Sequence, residues 1–193
     1  MGQAVTASPT RAEAWELVTS MTQSEQLRRH MRSVSAAMEA YARRFGEDPE
    51  RWAVLGLIHD WDYETGPTKE QHPMRGIQML RDKGWPADIL DDIASHADYL
   101  DVPRDTNARK ALYAVDEMCG FIIACALVKP DKSLSSVDAS TVRKKMKDKA
   151  FARGVHREEL VAGAEVLGVP FDEHVVFVRD ALKPIASDLG LNP

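Results

Sequence analysis

The segment from Trp52 to Glu64, WAVLGLIHDWDYE, begins as an apolar run and ends in a group of histidine and carboxylate side chains. Its apolar half has the length and character of a buried helix. An imidazole or a carboxylate removed from water needs a hydrogen bond, an opposite charge or a metal ion. The chain must therefore bring partners for His59 and Asp60 to the end of a buried helix.

Helical periodicity extends through nearly the whole sequence. Between Leu27 and Phe45, apolar residues recur at every third or fourth position. Gly46 then ends this helix, and Asp48-Pro49-Glu50 is typical of an N-cap, a first helical proline and a first-turn acid. We expect the other helices at residues 10–21, 73–83, 86–97, 107–128, 141–151, 157–168 and 172–189. Because we find neither an alternating β pattern nor a linker, the sequence predicts an all-α bundle forming a single domain over residues 1–193.

Composition and charge narrow the functional classes. Hydrophobic residues make up 44% and charged residues 28%, which is usual for a soluble globular protein. The net charge of −5 argues against a nucleic-acid partner. The start, MGQAVTASPTR, lacks the apolar region of a secretory signal, and the longest apolar run, Phe121 to Val128, is too short to span a membrane. We therefore expect a cytoplasmic protein without membrane contact and with Cys119 and Cys125 unpaired; a homo-oligomer remains open.

Four predicted helices each direct a histidine or a carboxylate toward the core. A lone histidine on an apolar face is more often a hydrogen-bonded core residue than a ligand, and Asp116 could pair with Arg109 or Arg143. His156 and His174 have charged neighbours, so we expect them at the surface. The core-facing or helix-end set comprises His30, His59, Asp60, His96 and Asp116, with His72 at the start of a further helix.

Imidazole and carboxylate together form the ligand set of divalent Mn, Fe, Co, Ni and Zn. Neighbouring residues on a helix point about 100° apart. His59 and Asp60 would therefore share an ion most easily where their helix ends and both side chains can turn inward. The sequence thus predicts a metal site built from several helices.

The order of these residues resembles the H…HD…D signature of the HD superfamily of metal-dependent phosphohydrolases. The resemblance implies that His30, His59-Asp60 and Asp116 hold one ion in a core of about residues 27–130, and that 131–193 form a C-terminal helical extension. It also implies that His72 and His96 hold a second ion bridged by Asp60, although both could instead contact a substrate phosphate.

The stretches LIHDWDYE, ALYAVDEMCGFIIACALVKP and VRKKMKDKAFARGV are also similar to small bacterial and archaeal proteins identified only as predicted HD hydrolases. The Gly-Tyr-Pro motif of the superfamily's cyclic-dinucleotide phosphodiesterases is missing, and the spacing from Asp60 to His72 is shorter than in that group. The resemblance therefore implies no particular substrate.

The implied activity is hydrolysis of a small phosphoester or nucleotide, with metal-activated hydroxide attacking phosphorus and Asp60 as the central catalytic residue. Lys129 and Lys145 are candidates for binding the substrate, although their basic stretch equally suits a solvated helix face. Asp62 and Glu64 are candidates for orienting histidine N–H groups or for shuttling protons. Two alternatives remain: a di-iron oxygenase, as the ligand set resembles that of myo-inositol oxygenase and the phosphonate-cleaving oxygenases, or a metal-stabilised binding protein without turnover. Four aromatic residues near the motif could stack on a base or belong to the core: Trp61, Tyr63, Trp85 and Tyr99.

Overall fold

The computed structural model describes residues 8–193, and within this range the chain forms α-helices and no β-strand. The prediction of an all-α fold is therefore confirmed. The opening residues MGQAVTA, on which the expectation about a secretory signal partly rests, lie outside the described range. The helices are α1 (Arg11–Met21), α2 (Glu25–Phe45), α3 (Pro49–Ile58), α4 (Met74–Asp82), α5 (Ala87–Ala94), α6 (Asn107–Leu127), α7 (Ala139–Met146), α8 (Arg157–Leu167) and α9 (Phe171–Leu182).

Local capping sets the boundaries of the helices that lead to the candidate site. Ser24 accepts a hydrogen bond from the Leu27 N–H at the start of α2, and Gly46 ends this helix with a φ of 70°. The Asp48 side chain accepts from two N–H groups at the start of α3, and Pro49 occupies its first position. Both ends agree with the sequence prediction.

Helices α2 and α3 cross with almost no space between their backbones. A Cβ atom added at Gly56 would lie only 2.5 Å from Cα of Ser35. The Ser35 hydroxyl also donates to the Ala53 carbonyl oxygen across 2.8 Å. This crossing brings the side of α2 that carries His30 against the end of α3.

Helix α6 runs through the hydrophobic core and is packed closely by α8. A Cβ atom at Gly163 of α8 would lie 2.7 Å from Cα of Ala114, so here too a glycine allows two helices to touch. Cys119 and Cys125 are buried in α6 as free thiols. Helices after residue 131 contribute to the same core, through Val142, Leu160, Val175, Val178 and Leu182 among others.

None of the helices in residues 8–193 combines the length and the apolar character that crossing a bilayer requires.

His174 is buried, so the prediction that it lies at the surface is wrong. Its Nε2–H donates to the Ala114 carbonyl oxygen at 2.9 Å, and its Nδ1 accepts from the Tyr41 hydroxyl at 2.7 Å. Asp172 and Glu173 precede it in the first turn of α9, but they face away from the core that His174 enters with Val175. Burial lowers the pKa of His174 to about 4, so the side chain is neutral near pH 7.

The buried His174 predicts a loss of stability in acid. In the unfolded chain the pKa returns to about 6.5, so lowering the pH from there to about 4 protonates only the unfolded state. The free energy of unfolding should fall by roughly 3 kcal/mol over this window. Urea unfolding in chelator at several pH values, with wild type and His174→Gln, measures this. A difference between the two proteins that stays constant from pH 7 to pH 4 would contradict the prediction.

Candidate metal centre

Four of the predicted ligands meet in one group. Suitable atoms of His30, His59, Asp60 and Asp116 all lie within 4.8 Å of one another. Oδ1 of Asp116 is 3.0 Å from Nε2 of His30 and 3.4 Å from Nε2 of His59. Metal–ligand bonds of about 2.0–2.2 Å place neighbouring donor atoms roughly 3.0–3.6 Å apart. The four side chains therefore have the spacing that one divalent ion needs.

A second group shares Asp60 with the first. Oδ1 of Asp60 is 3.2 Å from Nε2 of His72 and 3.6 Å from Nε2 of His96. These two nitrogens are 3.0 Å apart. Oδ2 of Asp60 faces the first group, 3.5 Å from Nε2 of His59. One carboxylate thus turns one oxygen to each group, which is the position of a bridging ligand.

Hydrogen bonds at Nδ1 orient three of the four imidazoles. Nδ1–H of His59 donates to the Gly56 carbonyl oxygen at 2.9 Å, and Nδ1–H of His96 donates to the Ile93 carbonyl oxygen at 2.6 Å. His72 donates in the same way to a carboxylate oxygen of Asp62, at 2.8 Å. Because Nδ1 carries the proton in each ring, Nε2 is free to offer a lone pair to the cluster.

His59 provides the test of whether the cluster suits a cation. Its side chain is completely buried, and its Nε2 finds no hydrogen-bond partner within the described part of the chain. Buried polar atoms are normally paired, and this nitrogen is directed between the carboxylates of Asp60 and Asp116. A divalent ion would satisfy the nitrogen and both carboxylates together, so the residues present fit a metal site.

The pKa values show how strongly charge is concentrated here. Burial acts to lower the pKa of His59, but the carboxylates of Asp60 and Asp116 outweigh it and raise the value to about 9. His72 is likewise opposed by burial and raised to about 9, by Asp60 and Asp62. Burial acts to raise the pKa of Asp60 and Asp116, but the neighbouring histidines hold both well below the usual range. Protons therefore compete with a metal ion for this cluster, and acid must weaken metal binding.

The ligands come from five separate places in the fold. His30 lies on α2 and Asp116 on α6, whereas His59 caps α3 and Asp60 follows it in the turn. His72 precedes α4, and His96 follows α5. The His30 and Asp116 side chains are each 21% exposed to solvent, and the Asp60 side chain is 16% exposed. The cluster is therefore open to solvent on the side of these three residues. His59 and Asp60, at the end of α3, both turn their side chains inward, as the sequence predicted.

A buried ion-pair network that the sequence did not predict joins the helices bearing these ligands. Asp92 on α5 accepts from Arg51 of α3 at 2.6 Å and from Arg109 of α6 at 2.8 Å. Arg109 is thus engaged with Asp92, and Arg143 bonds Asp172. The alternative in which one of these arginines pairs with Asp116 is therefore wrong.

The two carboxylates that follow the His-Asp pair have different roles. Asp62 bonds to His72, as the sequence suggested. Glu64 instead accepts hydrogen bonds from the backbone N–H groups of Gln23 and Ser24, at the start of α2. The prediction that Glu64 orients a histidine is wrong, because the turn after Asp62 directs it toward α2.

The two lysines predicted to bind substrate are not part of the cluster. Lys129 lies thirteen residues beyond Asp116, which at the helical rise of about 1.5 Å per residue corresponds to about 20 Å along the axis. It is therefore too far away to reach a phosphate bound at the cluster. Lys145 lies on α7, and its ammonium group is 4.6 Å from the ring centroid of Phe151. Its role in binding substrate stays a prediction.

Two of the four aromatic residues reach the edge of the cluster. The Tyr63 ring packs edge-on against His72 at 5.2 Å between centroids, and the Tyr99 hydroxyl donates to the His72 carbonyl oxygen. Both tyrosines are 39% exposed, whereas Trp61 is buried in the core. Trp85 packs partly buried against that core.

A further group of ionisable residues lies beside Asp116 and was missed from the sequence. Nδ1 of His156 is 2.8 Å from Oε1 of Glu117 and 3.6 Å from Oε1 of Glu159. The His156 side chain is 64% exposed, which confirms its prediction as a surface residue. Burial and the nearby Glu117 raise the pKa of Glu159 to about 7.

Comparison with known proteins identifies the family. Residues 27–119 match the family model described as the HD domain. Searches of curated proteins and of solved structures gave no significant match. The matched segment begins in α2 and ends in α6, so it contains all six candidate ligands. HD domains bind divalent metal ions, and their superfamily is one of metal-dependent phosphohydrolases. The chain therefore contains an HD domain, at residues 27–119.

Proposed function

We propose that this protein is a hydrolase that uses two divalent ions to cleave a small phosphoester or nucleotide. The observation that carries the proposal is the pair of donor groups that share Asp60. His30, His59 and Asp116 would hold one ion, and His72 and His96 the other. When bound, such ions lower the pKa of a coordinated water and neutralise the charge of a phosphate group.

The cluster suits an anionic substrate once its side chains have bound metal ions. With two divalent ions bound, the two carboxylates Asp60 and Asp116 would neutralise only part of their charge, and the site would carry net positive charge. A phosphate group is attracted to such a site, and the developing negative charge of the transition state is stabilised there. The partly exposed side of the cluster, at His30, Asp60 and Asp116, gives the substrate access.

The histidines contribute precise orientation. His59 and His96 are fixed by carbonyl oxygens of their own helices, and the buried His59 ring closes the inner side of the cluster to water. Donors that are already in place lose little conformational freedom when the ion and the substrate arrive. Structural metal sites are closed, whereas catalytic sites keep an open position, so the exposed side of this cluster favours an enzyme over a protein that only binds metal.

The test of the proposal is an anaerobic assay. Protein purified without chelator is analysed for metal, then supplied with Mn, Fe, Co, Ni or Zn and offered phosphomonoesters, nucleotides and phosphodiesters. We expect release of phosphate or of a phosphomonoester without oxygen. Product that forms only in air, with bound iron and matching oxygen uptake, would replace the proposal with the oxygenase alternative. Bound metal without any turnover would favour a binding protein.

Metal removal should lower the stability of the protein. An ion present at 100 times its Kd adds about 2.7 kcal/mol to the free energy of unfolding. For a domain of this size, this corresponds to a shift in Tm of roughly 5–10 °C per ion. Thermal melts with chelator and after adding Mn or Co measure this shift. His156→Gln, which leaves the six donors intact, is the control and should show the same shift; an equal Tm with and without metal would contradict the proposal.

A further inference from the structure

Asp62 is a buried carboxylate next to the cluster that is not among its six donors. It is 1% exposed, and both of its oxygens are occupied. Oδ1 accepts from Nδ1–H of His72 at 2.8 Å, and Oδ2 accepts from the backbone N–H of Gly76 at 2.7 Å. Asp62 therefore connects the turn after α3 both to a candidate ligand and to the first turn of α4.

Gly76 is required by this arrangement. A Cβ atom there would lie 2.7 Å from Cγ of Asp62 and 2.7 Å from Nε1 of Trp61. Any other residue would push the Asp62 carboxylate away from its two donors. The N-terminal end of α4, which bears partial positive charge, also favours an anion at this position.

His72 depends on a distant side chain for its orientation, and this distinguishes it from two other ligands. His59 and His96 donate to carbonyl oxygens three residues earlier in their own chain segments. His72 precedes its helix, so no helical carbonyl oxygen of α4 is available to it, and it uses a carboxylate ten residues away. The Tyr99 hydroxyl holds the His72 carbonyl oxygen as well, which leaves the ring position to Asp62.

We infer that Asp62 is a positioning residue that sets the affinity of the second ion through His72, with Gly76 as the contact that keeps Asp62 in place. The inference rests on the proposed two-ion function. It assigns no such role toward the first ion, whose donors include His30 and Asp116 and are held from α2 and α6. Loss of the Asp62 contact should therefore turn a two-ion protein into one that readily binds a single ion.

The test is a titration of metal-free protein with Co(II). Binding is monitored through the absorption of the bound ion and by calorimetry. We compare wild type with Asp62→Asn, which has the same shape but can accept from only one of the two donors. Gly76→Ala is a second variant, acting on Asp62 without changing any ionisable group. We expect two bound ions in wild type, and in both variants an unchanged first ion with a second bound about 10- to 100-fold more weakly.

Glu64→Gln is the matched control, because it removes a carboxylate two residues away that bonds to α2 and should leave both affinities unchanged. Circular dichroism of each metal-free variant verifies that it is folded. Two ions bound with wild-type affinity in Asp62→Asn, or equal weakening of both ions, would overturn the inference. Fewer than two ions in wild type would remove its basis. Wild type that binds two ions but cleaves no phosphoester would refute the proposed function alone.

Discussion

Replacing Asp60 by alanine is expected to abolish turnover and to leave at most one bound ion. Within residues 8–193 the structure arranges the six donors in two groups, and Asp60 is the only one of the six that belongs to both. It directs one oxygen to each group. Its removal takes a ligand from both ions at once and separates the groups. Because metal binds only the native state, the Tm of the variant should fall toward that of chelator-treated wild type. Added divalent metal should barely restore it.

The effect of Asp60→Ala would differ clearly from that of removing an ordinary carboxylate at a helix end. Removing such a group costs about 0.5–2 kcal/mol and leaves the metal content unchanged. Asp91→Ala, on the exposed side of α5, is the control and should keep both ions and full activity. Metal analysis, thermal melts with and without added ion, and a phosphoester assay are the measurements. Wild-type metal content in Asp60→Ala would show that Asp60 is not a shared ligand.

Local signals in the sequence were sufficient to predict where each helix lies and which residues are candidate ligands. The ends of two helices were predicted wrongly: α7 ends at Met146 and α9 at Leu182, five and seven residues before the predicted ends. The cap at Asp48-Pro49 and the stop at Gly46 depend on neighbouring residues only, so they can be read without knowing the fold. His30 and Asp116 lie on apolar stripes, and an apolar stripe faces the core wherever its helix packs. For this reason the sequence could place these side chains in the interior before their partners were known.

Contacts between distant segments could not be predicted in this way. Asp92 is a carboxylate next to the exposed Asp91, and its burial follows only from meeting Arg51 and Arg109 of two other helices. His174 is preceded by two acidic residues and yet enters the core. Lys129 was a candidate for binding the substrate because of its charge, but charge carries no information about its distance from the cluster. The different roles of Asp62 and Glu64 likewise depend on which neighbour each one meets after the turn.

Replacing Gly56 by alanine adds a single methyl group, and we expect it to cause a large loss of stability. Glycine lowers helix stability by about 1 kcal/mol relative to alanine, so its presence within α3 needs a reason. The added Cβ would lie 2.5 Å from Cα and 2.6 Å from N of Ser35, and 2.8 Å from the carbonyl carbon of Val34. These are backbone atoms of α2, which cannot move aside as the end of a flexible side chain can. The two helices must separate, and we expect a loss of about 3 kcal/mol in the free energy of unfolding.

The same substitution at Gly120 provides the matched control, because it lies inside a helix but has space around it. A Cβ atom there meets only Nδ1 of His30, at 3.9 Å, which is ordinary van der Waals contact. Gly120→Ala should therefore keep or increase the stability, by up to about 1 kcal/mol. Urea unfolding in chelator compares the stability of the two variants. His30 and His59 lie on opposite sides of the crossing, so separating α2 from α3 should also weaken binding of the first ion. Co(II) titration tests this. Gly56→Ala with wild-type stability and metal affinity would show that the close approach of these helices does not determine the geometry of the site.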